Sequence, residues 1–151
     1  NATFMYSKVE RSPEQLDQEK PVNFTGTLKE RKLQGAAPWT VNADLKYEFK
    51  NGQNLPHTAS LVYNVSGSKI FTVGTSGLDH IYERPFNQLD FVYNAQLTKN
   101  WNVKLGILNI LNSTYKLEQG EDGTIPLDVR TNLHTDYKRG TSVNFTAGYT
   151  F

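Results

Sequence analysis

The sequence predicts an all-β protein, an antiparallel up-and-down sheet of about six strands with the two-faced pattern of a transmembrane β-barrel. Three observations predict it. Apolar and polar residues alternate with period two through the regular segments, as strands with one buried and one solvated face require. Short and long connections alternate strictly along the chain. Aromatic residues gather at strand ends.

The elements follow in order. A first strand is expected over residues 2–9, with Ala2, Phe4 and Tyr6 on one face and Thr3, Met5 and Ser7 on the other. The second, from Trp39 to Lys50, has the clearest pattern. Trp39, Val41, Ala43, Leu45, Tyr47 and Phe49 alternate with Thr40, Asn42, Asp44, Lys46, Glu48 and Lys50. A third runs from His57 to about Val73; Ala59, Leu61, Tyr63 and Val65 share a face, and the phase is lost around Gly67. A glycine there predicts a bulge or a close backbone approach. A fourth covers residues 88–98, with Leu89, Phe91, Tyr93, Ala95 and Leu97 opposite Asp90, Asn94 and Gln96. A fifth starts at Trp101 and carries Val103, Leu105 and Ile107 on one face. The last occupies residues 141–151. It sets Val143, Phe145, Ala147, Tyr149 and Phe151 against Ser142, Asn144, Thr146, Gly148 and Thr150. Helix signals are weak everywhere.

Two connections are short: the turn Asn51-Gly52-Gln53-Asn54-Leu55 and the tight hairpin at Lys99-Asn100. The others, over residues 11–38, 75–87 and roughly 116–140, are long and polar. In an up-and-down sheet this puts every short turn at one end and every long loop at the other. Outer-membrane barrels have that asymmetry, with short periplasmic turns and long extracellular loops. The last strand then runs toward the short-turn end, which makes its carboxy terminus periplasmic. Taken alone, this strand fits a sandwich strand at a chain end equally well. With its aromatic last residue it resembles the closing strand of a bacterial outer-membrane barrel, which implies that Val143, Phe145, Tyr149 and Phe151 form a signal for the barrel assembly machinery. Trp39 and Phe86 lie near the long-loop ends, and Phe49, Trp101, Tyr149 and Phe151 near the short-turn ends. Trp39, Phe49, Trp101 and Tyr149 are the expected girdle residues, because amphipathic rings favour the headgroup level.

Composition sets bounds. The 151 residues suit one domain, and there is no cysteine, which excludes a disulfide framework and thiolate chemistry. A net charge of +1 gives no nucleic-acid footprint. Mean hydropathy is −0.57, and no apolar run approaches the roughly 20 residues of a membrane helix. That excludes helical spans only, since a barrel shows lipid about half of each strand. Residues 1–20 lack the apolar core of a signal peptide, as a mature or truncated chain would.

About six strands do not close a transmembrane barrel, the smallest bacterial ones having about eight. An open edge in lipid leaves amides unpaired at several kcal/mol each. The expectation is therefore that residues 1–151 are the carboxy-terminal part of a larger barrel. An eight-stranded barrel stays possible if residues 22–28 and 125–133 hide two further strands.

Several segments together carry a family resemblance. They are Arg31-Lys32-Leu33-Gln34-Gly35-Ala36-Ala37-Pro38-Trp39 with Val41-Asn42-Ala43 and Leu45-Lys46-Tyr47; Leu61-Val62-Tyr63-Asn64 with Gly67 and Ile70; Tyr82-Glu83-Arg84-Pro85; and Leu89-Asp90. Leu97-Thr98-Lys99-Asn100-Trp101, Asn109-Ile110-Leu111-Asn112 ahead of Tyr115, and Tyr137-Lys138-Arg139-Gly140 continue it. Over residues 34–151 the chain resembles the late strands of TonB-dependent outer-membrane receptors of the Bacteroidetes type. The resemblance implies a barrel of about 22 strands, an amino-terminal plug that this chain lacks, and a place in the bacterial outer membrane. It implies energy-coupled uptake of a scarce nutrient, a metal chelate, glycan or peptide, by contact with TonB upstream of this segment. A surface lipoprotein is a further partner it suggests, and no enzyme activity or cofactor is implied.

Ligand contacts in such receptors come from extracellular loops and the upper lumen. By location these are His80, Tyr82, Arg84, Glu118, Asp122 and Arg130, with Lys69 and Asp136 nearby. No catalytic constellation and no metal site is expected. Asp79-His80 with Glu83 is the nearest to a metal cluster, and solvated loop is the better reading of it. No Gly-x-Ser-x-Gly context marks a hydrolase. The competing classes are a small complete barrel with a structural or adhesion role, a receptor-like barrel serving secretion or assembly, and a soluble β-sandwich. A sandwich needs a second sheet over its apolar face; the charged face of the second strand and the one-sided loop lengths count against it.

Overall fold

The fold is known from a computed structural model, which describes residues 1–19, 30–76, 78–120 and 134–151. Along the chain run β1 (Ala2–Phe4), β2 (Val9–Glu10), α1 (Pro13–Glu19), β3 (Glu30–Arg31), β4 (Trp39–Lys50) and β5 (Pro56–Ser66). Then follow β6 (Lys69–Thr72), β7 (Ile81–Glu83), β8 (Asn87–Gln96), β9 (Trp101–Leu108), β10 (Thr114–Gln119), β11 (His134–Lys138) and β12 (Ser142–Tyr149). The protein is mostly antiparallel β-sheet.

The larger sheet has six strands in the order β1-β4-β5-β8-β9-β12, an up-and-down meander. Its register keeps the alternation of every strand in phase. Leu45, Leu61, Phe91, Ile107 and Val143 fall in one cross-strand row, and Tyr47, Ala59, Tyr93, Leu105 and Phe145 in the next. On the opposite face Lys46 pairs with Ser60, Glu48 with Thr58, Asn94 with Lys104, and Lys104 with Thr146. One face is thus apolar across six strands, with His57 and Asn87 as exceptions, and the other is polar, with Pro56, Val62, Val92 and Leu108 as exceptions. The sheet is open, ending at β1 and β12, and no closed barrel is formed by the described residues.

The smaller sheet has four strands in the order β6-β7-β10-β11, the same order in which β5, β8, β9 and β12 lie in the larger one. Each of these pairs is one path through both sheets, interrupted at one level: at residues 67–68, 84–86, 109–113 and 139–141. The interruptions have local causes. Asn109 and Asn112 take positive φ of 55° and 45°, Gly140 takes 81°, and Pro85 removes a ladder donor. At Gly67 the Trp39 indole lies so close that a Cβ would stand 2.7 Å from its Nε1.

Several expectations need correction here. The third strand does not run through to Val73; the loss of phase at Gly67 marks the passage between sheets. The first strand ends at Phe4, and Val9 belongs to a separate pairing with β3. The fourth ends at Gln96, so its turn is Leu97-Thr98-Lys99-Asn100, closed by the Leu97 amide on the Trp101 carbonyl at 2.9 Å. The long connections carry β7, β10 and β11 as well as loop. A helix exists where none was expected. Ser12 and Gln15 cap it reciprocally, Gln15 N to Ser12 Oγ at 3.3 Å and Ser12 N to Gln15 Oε1 at 3.1 Å, with Pro13 in its first turn. The possible strands over 22–28 and 125–133 fall outside the described residues.

Candidate functional site

The smaller sheet gathers the loop candidates. Register sets Tyr82 opposite Glu118 and Ile70 opposite Tyr82. Ile70 is 1% exposed and Tyr82 7%. Gly35 N donates to the Ile70 carbonyl at 2.8 Å, and Gln34 Nε2 to that of Phe71 at 2.8 Å, so residues 33–36 lie along β6. Arg84 leaves β7 and reaches Glu118, Nε to Oε2 at 2.5 Å, and Gly120 O at 3.1 Å. His80, at the entry to β7, accepts from the Gly74 amide and is half-buried. Four of the six loop candidates therefore meet in one place, and each is engaged in internal contacts. Asp122 and Arg130 lie outside the described residues.

On the other side of this sheet Lys69 Nζ contacts Glu83 Oε1 at 3.2 Å. The Tyr115 hydroxyl is pushed up to about 12, first by burial and then by its hydrogen bond to Glu83. Arg139 lies over the rings of Phe86 and Tyr115, at 5.3 and 5.0 Å from their centroids, and Tyr137 packs on Tyr115 at 5.1 Å. Glu83 is thus paired away from His80, and the Asp79-His80-Glu83 cluster does not form. Among the described residues no group of His, Asp and Glu is placed to hold a metal ion.

Two features were not foreseen from sequence, one between the sheets and one at α1. Asn109 is buried and joins three elements: its amide donates to Asp90 Oδ1 at 2.8 Å, its Nδ2 to Gly140 O at 2.8 Å, and its carbonyl accepts from Thr141 at 3.0 Å. Glu19, at the end of α1, is held by Arg31 at 3.0 Å and Arg11 at 3.4 Å. The first had a sequence signal, the paired asparagines of Asn109-Ile110-Leu111-Asn112. The second had the Ser12-Pro13-Glu14-Gln15 cap.

The expected girdle and terminal-strand residues lie on the larger sheet. Trp39, Phe49, Trp101 and Tyr149 share its apolar face, Trp39 at the long-connection end and the other three at the short-turn end. Around that end the rings form a band: Tyr47 on Phe49 at 5.6 Å, Phe49 on His57 at 5.1 Å, Trp101 on Tyr149 at 5.1 Å, Tyr149 on Phe151 at 5.0 Å. His57 Nδ1 meets the Tyr93 hydroxyl at 2.6 Å. Leu45, Tyr47, Val143 and Phe145 are 72%, 67%, 65% and 69% exposed. On the polar face an open depression of about 380 Å³ is lined by Thr58, Asn94, Gln96, Asn102, Lys104 and Thr146 among others.

No family model matches this chain, and comparison with curated proteins and with solved structures finds no significant similarity.

Proposed function

We propose that this chain is a stretch of wall from a bacterial outer-membrane β-barrel. The observation that carries the proposal is the larger sheet, apolar on one face and polar on the other, with Phe4, Leu45, Tyr47, Val143 and Phe145 of the apolar face uncovered. Burying such a side chain contributes roughly 1.5–3 kcal/mol. Five of them, counting Phe4, match the roughly 5–15 kcal/mol net stability of an ordinary domain. A face of this kind needs an apolar surrounding, and lipid supplies one without a second sheet. Dimensions agree: from Trp39 to Phe49 the strand rises about 33 Å, which at the usual tilt of about 45° spans an apolar band of about 25 Å.

The larger activity rests on the resemblance. In this reading the barrel is a TonB-dependent receptor taking up a metal chelate, glycan or peptide. The larger sheet is its lipid-facing wall, and the smaller sheet and its connections line the extracellular vestibule. TonB acts on a region outside this segment, the assembly machinery inserts the barrel, and a surface lipoprotein is a possible lid. A second reading, the same wall in a barrel serving adhesion, secretion or assembly, is favoured by the internal engagement of Arg84, Glu118, Tyr82 and His80, which suits scaffolding better than ligand contact.

Depth-dependent quenching tests the wall. In bilayers, single-tryptophan variants keeping Trp39 or Trp101 are expected to be quenched more by labels near the headgroups than at the midplane, from opposite leaflets. Absence of quenching by either label sinks the proposal. Uptake that survives collapse of the proton-motive force selects the second reading.

A further inference from the structure

The segment 73–80, described at all but position 77, joins β6 to β7, and Gly74 near its start meets the ring of His80 at its end. The Gly74 amide donates to His80 Nδ1 at 3.0 Å. A backbone amide is always a donor, so Nδ1 carries a lone pair and the proton of the neutral ring sits on Nε2. His80 N donates to Asp79 Oδ1 at 2.6 Å, and Gly120 N donates to the His80 carbonyl at 2.9 Å. Gln119 Nε2 reaches the Asp79 carbonyl at 3.0 Å. In the other direction Ser76 N donates to Gln18 O, near the end of α1, at 2.7 Å. Gly74 is buried, and a Cβ there would collide with the carbonyls of Leu78 and Asp79. The segment therefore bridges α1 to the end of β10 and closes on the His80 ring.

We propose that this segment is an acid-released latch: protonation of His80 at Nδ1 sets an N–H against the Gly74 N–H, opens the segment and loosens its hold on α1. The charged groups around the ring are Asp79 beside it and Glu19, Arg31 and Arg11 from the α1 and β3 side. Tyr82, 6.3 Å away between centroids, and Gln119 are uncharged. Burial is the largest influence and holds the imidazole below its ordinary 6.5; the two arginines act in the same direction, and Asp79 and Glu19 oppose them. A folded value below the open one means that the open segment takes up the proton first. The latch thus contributes fully above pH 6.5 and weakens as pH falls below it. The latch does not rest on the membrane reading, so the two fail separately.

Hydrogen–deuterium exchange of the Gly74, Ser76 and His80 amides in the purified protein, corrected for intrinsic rates, tests it. Between pH 8 and 5 the wild type is expected to lose protection there by up to about thirtyfold. His80→Asn, whose Oδ1 can accept the same amide without titrating, is expected to stay flat. Protection independent of pH in the wild type, or a variant that follows the wild type, overturns the latch. Should the variant not fold, imidazole nitrogen shifts of the wild type decide. The Nε2–H tautomer at pH 8 with a midpoint below 6.5 supports the latch; the Nδ1–H tautomer or a midpoint at or above 6.5 overturns it.

Discussion

The two sheets share four strand paths and differ in what covers them. In the smaller sheet the chain covers itself. Among the described residues Ile70 is the largest fully buried side chain, Tyr82 is buried opposite it and Tyr115 on the other face, and ion pairs, cation–π contacts and the residues along β6 close the surroundings. In the larger sheet a longer and more regular ladder leaves much of its apolar face uncovered, most of all on β4 and β12. Ladder hydrogen bonds fix a sheet's shape, and burial stabilises it; here the two are separated within one chain. The lesson is that a regular strand pattern predicts a sheet without predicting where its core is.

The largest effect is expected at Ile70. Ile70→Ala should destabilise the smaller sheet by about 2–5 kcal/mol. The loss should appear as faster exchange in β6, β7 and β10, with the larger sheet unaffected. Equal loosening of both sheets would show a common core and undo the distinction. The next effect is at the bare face. With lipid against that face, Leu45→Arg should lower folding stability in bilayers by about 2–4 kcal/mol. With water against it the change should stay within about 0.5 kcal/mol. Denaturant titration in bilayers separates these outcomes. The smallest effect is at α1, whose Gln18 carbonyl accepts from Ser76 in the connection after β6. Ser12→Ala removes the cap and should cost about 1 kcal/mol, read as faster exchange in α1. No change would mean that α1 is held by Glu19 and its arginines alone.

Much of the larger sheet was legible from residues 39–50, 88–96 and 142–149, because period two needs no knowledge of partners. The loss of phase at Gly67 was legible too, but its meaning was not. The same glycine marks a bulge in one strand or a passage between two sheets, and only the Trp39 indole lying over it decides. Strands of three to six residues such as β7 and β10 show no period of their own. The helix was missed although Ser12-Pro13-Glu14-Gln15 is a complete capping box, because a seven-residue helix carries too few turns for a face to register. Of the candidate site, the location of His80, Tyr82, Arg84 and Glu118 in long connections was legible, and their mutual pairing was not.

By itself the sequence determined the two-faced strands, the alternation of short and long connections and the absence of thiol chemistry. These follow from residue type and spacing, which local backbone geometry converts directly into faces and turns. Only the tertiary structure decided that the long connections pair with one another in the order of the strands below them. It alone set Tyr82 against Glu118 and Gly74 against His80. Those contacts join residues whose separation along the chain has no period, and backbone hydrogen bonds, being the same for every residue type, leave no trace of their partners in the sequence.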